Sequence, residues 1–410
     1  MESYKDVKIG VYAICSGEPN EFIDRWLTSM SKADYIWVLI TKLNDSNYSY
    51  FKEKQTLDEF KDKLFVAEKE IKPWRFDVAR NESMALVDKP CDALICTDID
   101  EVLIEDFWDD YRKIVFEHPN FERVYYQFAW KHDSESGEPT TIFWYDKTQH
   151  KDGYKWHFAV HEALLSEADK YGYNGQYFLD EKKIYLHHYP DKNKTRGWYF
   201  DLLKLRNEEN ERDVYGYYYL AREYTFSGDW LHCLKTLLPL YNLLSLPKEL
   251  KTPEVARASE DPFMYAATCI MAGNSYARLG ILDEAEKFFV KAINASPTLV
   301  DGYICLAQLY AYSNRPQQSR DVLSQAQKNC KQLIDWRIRL YRWRAWKWLQ
   351  IQADALSWEG KYEEAMQVML EAEKDIKTTD DKAFATAEQF YIDKAFIEKH
   401  LQNKGVSYEK

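Results

Sequence analysis

The sequence predicts two folds in tandem, an α/β domain built on a mostly parallel sheet and then an all-helical repeat domain. Three observations predict this. Short apolar runs alternate with amphipathic segments up to about residue 190, helical periodicity takes over from about residue 206, and one segment of the helical half recurs 34 residues later. Strand–helix alternation implies a parallel sheet with helices on both faces. A recurrence of that length is the period of a tetratricopeptide-like helix-turn-helix unit. The 410 residues suffice for two domains, each with its own core. The expected division is 1–205 and 206–410.

Residues 7–15 are apolar and β-prone, and the turn Ser16-Gly17-Glu18-Pro19-Asn20 ends them. Residues 21–32 carry Phe22, Trp26, Leu27 and Met30 at helical spacing. Strands are then expected at 35–41, 64–68 and 93–97, with helices at 48–60, 76–87 and 106–116. Between about 121 and 188 the texture is β-rich, with runs at 123–130, 140–145, 155–162 and 183–188. In the helical half, 276–285 aligns with 310–319, and looser copies occur at 223–230 and 356–365. Gly280, Asn314, Gly228 and Gly360 put a residue tolerant of left-handed backbone at each helix end. The small residue five positions on (Ala285, Ser319, Ala365) lets paired helices approach. The tyrosine-rich run 215–220 reads as core at helical spacing, and less readily as an acceptor surface.

Composition excludes some classes. A formal charge of −12 argues against nonspecific nucleic-acid binding, which needs a basic footprint. Aromatics reach 16%, an excess that suits helical-repeat packing first and stacking on sugars or bases second. The seven cysteines form no C-x-x-C pair and read as thiols of a reducing compartment. No signal-peptide pattern opens the chain, and no stretch approaches about 18 apolar residues, so a cytoplasmic protein without a membrane span is expected.

The run Ala93-Leu94-Ile95-Cys96-Thr97-Asp98-Ile99-Asp100-Glu101 ends a strand in two carboxylates one residue apart. Residues i and i+2 of a strand share a face, so Asp98 and Asp100 are expected to converge on one cation or one phosphate-bearing ligand. Two enzyme patterns fit. In a haloacid-dehalogenase-type phosphatase, the first Asp is a nucleophile on the first strand, served by a later acidic Gly-Asp motif. Here three strands precede the pair, and the only Gly-Asp, Gly228-Asp229, lies in a repeat turn. The other pattern is the metal-binding Asp-x-Asp of nucleotide-sugar transferases.

Further motifs favour the second. Ala13-Ile14-Cys15-Ser16-Gly17-Glu18, Pro73-Trp74-Arg75-Phe76-Asp77-Val78-Ala79-Arg80-Asn81, Val160-His161-Glu162, and His187-His188-Tyr189-Pro190-Asp191 with Lys194 and Arg196 follow one another in order. With these, residues 7–205 resemble glycosyltransferase family 2, and more closely its bacterial members with C-terminal tetratricopeptide repeats. The resemblance implies a GT-A (Rossmann-like) α/β fold and a metal-dependent, inverting glycosyltransferase using Mn²⁺ or Mg²⁺. It implies a nucleotide-sugar donor, a UDP-sugar in the first instance, and a protein, peptide or glycan acceptor. Asp100 and His188 (or His187) would hold the metal, and Glu162 would be the general base, ahead of Asp77 and Asp133. Glu18, Asp45, Arg80, Asp98 and Arg196 would contact the donor. The repeats would dock a protein acceptor, pair two subunits, or both.

One segment departs from the family. Where the family has Asp-Thr-Gly-Ser-Thr-Asp, with the first Asp reading uracil, this chain has Ile40-Thr41-Lys42-Leu43-Asn44-Asp45. Asp45 or the backbone substitutes, or the base is not uracil, or the chain is a degenerate transferase. The last case is the competing function, a noncatalytic binding protein with working repeats.

Overall fold

The computed structural model describes residues 3–132, 137–191, 198–330, 345–378 and 387–403. The chain divides into two compact units, Met1–Arg206 and Asn207–Lys410.

The first unit begins with β1 (Ile9–Cys15), α1 (Asn20–Met30), β2 (Tyr35–Ile40), α2 (Ser46–Lys54), β3 (Leu64–Glu68), α3 (Phe76–Met84) and β4 (Ala93–Cys96). It continues through β5 (Glu101–Leu103), α4 (Asp106–Glu117), β6 (Arg123–His132), β7 (Pro139–Tyr145), β8 (Thr148–Gln149), β9 (Tyr154–His157) and β10 (Ala163–Ser166). Then come α5 (Ala168–Tyr171), β11 (Gln176–Phe178), β12 (Ile184–His188) and α6 (Tyr199–Glu209). The main sheet has the order β3-β2-β1-β4-β8. Its first four strands are parallel and β8 runs antiparallel to β4. A second sheet orders β11-β6-β12-β5, with β7 also paired to β6.

Period-two alternation explains how β1 is buried on both faces. Ile9, Val11, Ala13 and Cys15 pack with Ile23, Trp26 and Met30 of α1. Tyr12 faces the other way, onto Trp37, Leu94 and Trp156. Gly10 lies on that second face because nothing larger fits: a Cβ there would stand 2.7 Å from both Leu94 and Trp37.

Three expectations change. The expected helix 48–60 ends at Lys54, where the Gln55 side chain donates to the Leu64 carbonyl and turns the chain into β3. The run 155–162 is a strand only to His157, because Phe158 and His161 take left-handed backbone. Residues 98–100 form a turn, closed by Glu101 N–H donating to Asp98 O at 3.0 Å.

The second unit is helical: α7 (Val214–Ser227), α8 (Trp230–Leu244), α9 (Pro253–Glu260), α10 (Pro262–Arg278), α11 (Leu282–Ala295), α12 (Val300–Tyr312), α13 (Pro316–Asn329), α14 (Ala345–Trp358), α15 (Tyr362–Thr378) and α16 (Ala387–Asn403). The helices pack as hairpins, α7 on α8, α10 on α11, α12 on α13 and α14 on α15. The four hairpins share one turn. Gly228, Gly280, Asn314 and Gly360 have φ of 73°, 78°, 54° and 75°. In each, the next N–H reaches back five residues: Asp229 to Tyr224, Ile281 to Tyr276, Arg315 to Tyr310, Lys361 to Leu356. This satisfies a helix-end carbonyl that would otherwise have no partner. Ala285, Ser319 and Ala365 are fully buried, as is Cys233 at the same place in the first hairpin. In the run 215–220, Tyr218 and Leu220 are buried and Tyr215, Tyr217 and Tyr219 pack against the core.

The amino edge of the main sheet is tied by Asp34. Its carboxylate accepts from Ile9 N–H at 3.0 Å, Lys8 Nζ at 2.9 Å and Arg112 Nη2 at 2.9 Å. Burial alone would raise its pKa, but the Ile9 amide and the two cations outweigh that and lower it. A depressed carboxyl stabilises the fold above its unfolded value and loses that contribution as pH falls through the folded one. Asp34→Asn should therefore cost about 1–3 kcal/mol in urea melts at pH 7, and the difference from wild type should shrink as the buffer is taken below the usual carboxylate range. In the repeats, Gly280→Ala should cost about 1 kcal/mol and Asn314→Gly should gain a few tenths in the same melts, since only the left-handed turn distinguishes them.

Candidate functional site

The carboxyl ends of parallel strands are where ligands of such sheets bind, and there the turn after β4 separates the two aspartates. Asp98 N–H donates to Glu101 Oε2 at 2.9 Å, so the chain reverses instead of continuing extended. The convergence of Asp98 and Asp100 on one ligand, expected from a strand, gives way to different partners. Antiparallel pairing of β5 with β12 sets Glu101 opposite His188, and Tyr189 N–H donates to the Asp100 carbonyl at 2.8 Å. His188 Nε2 thereby lies 3.3 Å from Asp100 Oδ2. Its Nδ1 is 3.1 Å from the Trp130 carbonyl. A carbonyl only accepts, so Nδ1 carries the proton and Nε2 is turned to Asp100. Burial lowers the His188 pKa, while the hydrogen bond and charge of Asp100 raise it further, with a net upward shift. His187 is turned elsewhere and pairs with His132, 2.9 Å between ring nitrogens. Of the two histidines, His188 is the one beside Asp100.

Arg80 is the hub of the second cluster. It is 3% exposed, and α3 is fastened around it: Asn81 exchanges two hydrogen bonds with the Trp156 backbone, and Ser83 Oγ donates to Ala13 O. Arg80 Nε donates to Glu162 Oε1 at 2.5 Å, Nη2 to Asp98 Oδ1 at 2.8 Å and Nη1 to Cys96 Sγ at 3.1 Å. Its guanidinium lies over the Trp156 ring at 5.0 Å. Arg80, expected at the nucleotide, engages protein groups with Nε and both Nη atoms. Lys147 Nζ takes the other Asp98 oxygen at 3.0 Å and lies 3.8 Å from Glu101. Burial would raise the Asp98 pKa, but Arg80 and Lys147 hold it well below the usual carboxylate range. Glu101 goes the other way. Burial pushes it up to about 7, with Lys147 opposing and the charges of Asp98 and Asp100 adding.

The remaining candidates are held more locally. Asp45 caps α2, accepting from Asn47 N–H at 3.0 Å and from Gly17 N–H at 2.9 Å. Asn47 then binds the Glu18 backbone at both N–H and carbonyl, 2.8 Å each. Expected at the donor, Asp45 has both oxygens engaged in fastening the turn before Glu18. Ile40 is buried in the core, and Asp77 pairs with Arg75 at 2.9 Å. Arg196, Lys194 and Asp133 lie outside the described residues. Sequence reasoning missed Lys147, which sits in no motif, and missed the role of Glu101, whose place beside the Asp-Ile-Asp run was the available signal.

Among the described residues no group of three or more His, Cys, Asp or Glu is set to hold a metal. Two donors are. Ligands each about 2.1 Å from a divalent cation and near a right angle stand about 3.0 Å apart, close to the 3.3 Å between Asp100 Oδ2 and His188 Nε2. The Nδ1 anchor on Trp130 is the outer-shell contact that orients a ligating imidazole. The pair fits a cation that completes its shell with ligand oxygens and water. A cavity of about 240 Å³ lies elsewhere, lined by Cys91, Asp92, His150 and Tyr173 near the start of β4.

No family model matches the chain, and no curated protein matches it. Solved structures similar to it include MamA, at 13% identity and TM-score 0.32, covering 45% of this chain and 85% of that one. YrrB, described as a TPR protein with an unusual peptide-binding site, aligns at 15% and TM-score 0.32, covering 49% and 84%. TTC0263, a thermophilic TPR protein of Thermus thermophilus, aligns at 15% and TM-score 0.33, covering 47% and 88%. Scores of this size do not establish a shared fold, and the helical-repeat description stands on the chain's own four turns.

Arg80→Met would leave Glu162, 12% exposed, and Asp98, 34% exposed, short of a cation. Removing one partner of a buried pair strands the other charge. Because water screens Asp98, the loss in urea melts should be about 2–4 kcal/mol, below that of a fully enclosed pair.

Proposed function

We propose that the first unit is a metal-dependent, inverting glycosyltransferase of the family 2 type, transferring a sugar from a nucleotide-sugar donor to a hydroxyl of a protein, peptide or glycan acceptor. The observation that carries this reading is the Asp100–His188 pair, facing at 3.3 Å at the carboxyl edge of a β3-β2-β1-β4 parallel sheet. A Mn²⁺ or Mg²⁺ ion held by Asp100 and His188 would offset the charge that gathers on the departing diphosphate. Glu162 is the general base. Arg80 fixes its Oε1, and Oε2 has no protein partner among the described residues. The acceptor oxygen bonds to the anomeric carbon as the bond to phosphate breaks on the opposite face, and the hydroxyl proton passes to Glu162. Asp98, bound to both Arg80 and Lys147, keeps the two cations at this edge. The repeats, of tetratricopeptide type by the 34-residue offset between the Gly280 and Asn314 turns, would dock the acceptor. All seven cysteines are free thiols, which suits a cytoplasmic setting, and no described helix is long and apolar enough to cross a membrane.

A second reading, a noncatalytic binding protein with a degenerate transferase domain, is favoured by the closed Arg80–Asp98–Lys147 network and by buried Ile40. A panel of nucleotide sugars separates the two. The transferase reading expects Mn²⁺-dependent binding and slow hydrolysis of at least one UDP-sugar, with both lost in Asp100→Ala. It also expects Glu162→Gln to bind metal and donor normally while transfer falls about 10²–10⁴-fold. No Mn²⁺-dependent binding or turnover anywhere in the panel would sink it.

A further inference from the structure

The β9–β10 connection, which ends in Glu162, is gripped by a residue from outside the sheet. β9 and β10 pair with His157 opposite Ala163, so residues 158–162 are the whole connection. Two of them, Phe158 (φ 75°) and His161 (φ 48°), have left-handed backbone although neither is glycine. L side chains rarely adopt that conformation, and it persists only where the surroundings over-determine it. Here the restraints are specific. Phe76 N–H donates to the Ala159 carbonyl at 3.0 Å. Arg206 of α6 donates through Nη1 to the carbonyls of Val160 at 3.0 Å and His161 at 2.9 Å. The same guanidinium lies 3.8 Å over the Phe158 ring. Tyr199, two turns earlier on α6 and so on the same face, brings its hydroxyl to 3.4 Å from His161 Nε2. Arg206 is 3% exposed. Two carbonyls and one ring of the connection therefore converge on one buried cation.

We propose that Arg206 is the positioning residue for Glu162. It touches no reacting atom. It holds residues 158–162, with Phe158 and His161 left-handed, in the conformation from which the Glu162 carboxylate meets Arg80, and thereby fixes the base against the acceptor hydroxyl. The inference rests on the general-base reading of Glu162. The residue type suits the task, because a planar guanidinium donates within its plane while its flat face stacks on a ring, and a compact ammonium has no such face.

The test uses the full chain and compares R206K, H161G, their combination and E162Q. Three quantities are read: amide exchange across 158–162, the melting temperature, and steady-state transfer from a UDP-sugar that the wild type turns over. In R206K, exchange in 158–162 should quicken by about tenfold or more while the central strands and the melting temperature hold. Its kcat should fall about 10–100-fold with donor KM within about twofold. H161G, for which a φ near +48° carries no penalty, should restore part of kcat in the R206K background. A merely structural arginine would lower the melting temperature, spare kcat per folded molecule and show no rescue. Unchanged exchange and kcat in R206K, with E162Q inactive, overturn the assignment of Arg206 alone. A wild-type rate in E162Q, or no turnover by the wild type, overturns the general-base reading and this inference with it.

Discussion

The buried guanidinium of Arg80 joins three segments that have no covalent reason to meet: α3, the turn after β4, and the β9–β10 connection that ends in Glu162. A charge taken out of water is tolerated only when its donors are matched. Each match here comes from a different element, so the desolvation of one arginine imposes a mutual arrangement on all three. Lys147 extends the arrangement to Glu101 and, through the β5–β12 pairing, to the His188 side of the edge. The Asp100–His188 pair and the Glu162 carboxylate are thus set by a common electrostatic frame.

Charge collects at both ends of the main sheet and nowhere between. In the middle of parallel strands the backbone groups pair with each other and both faces are covered, leaving room only for apolar side chains. At the strand ends the backbone runs out of partners, and side chains supply them. Asp34 does so at the amino edge, where it receives the Ile9 amide. Asp45 does so at the carboxyl edge, where it receives the Gly17 and Asn47 amides. The first ties strands together, while the second shapes the rim of the candidate site.

What depends on local pattern was legible. The apolar runs give β1 to β4 within a residue or two of their ends, and the turn residues Gly228, Gly280, Asn314 and Gly360 all take the left-handed backbone their residue types tolerate. The composition of the site was legible in part, since Asp98, Asp100, Arg80, Glu162 and His188 all lie in recognisable runs. Their pairing was not. Arg80 and Glu162 are 82 residues apart, and Lys147 and Asp98 are 49 apart. No periodicity encodes a contact at that separation. The alternation rule for Asp98 and Asp100 failed because a tight turn, closed by Glu101, replaces the strand on which the rule depends. Phe158 and His161 offered no warning either, because neither residue type announces a left-handed backbone.

Arg206 lies one residue past the point where the sequence changes texture, and it begins the run that reads as purely helical. Yet its side chain belongs to the α/β unit, donating to the Val160 and His161 carbonyls. A fragment ending at residue 205 would keep every described strand and both aspartates of the site and still leave those two carbonyls without their donor. For this protein, the minimal α/β half cannot be defined by where the sheet ends. It has to include the first two turns of a helix that contributes no residue to the site and holds it in shape.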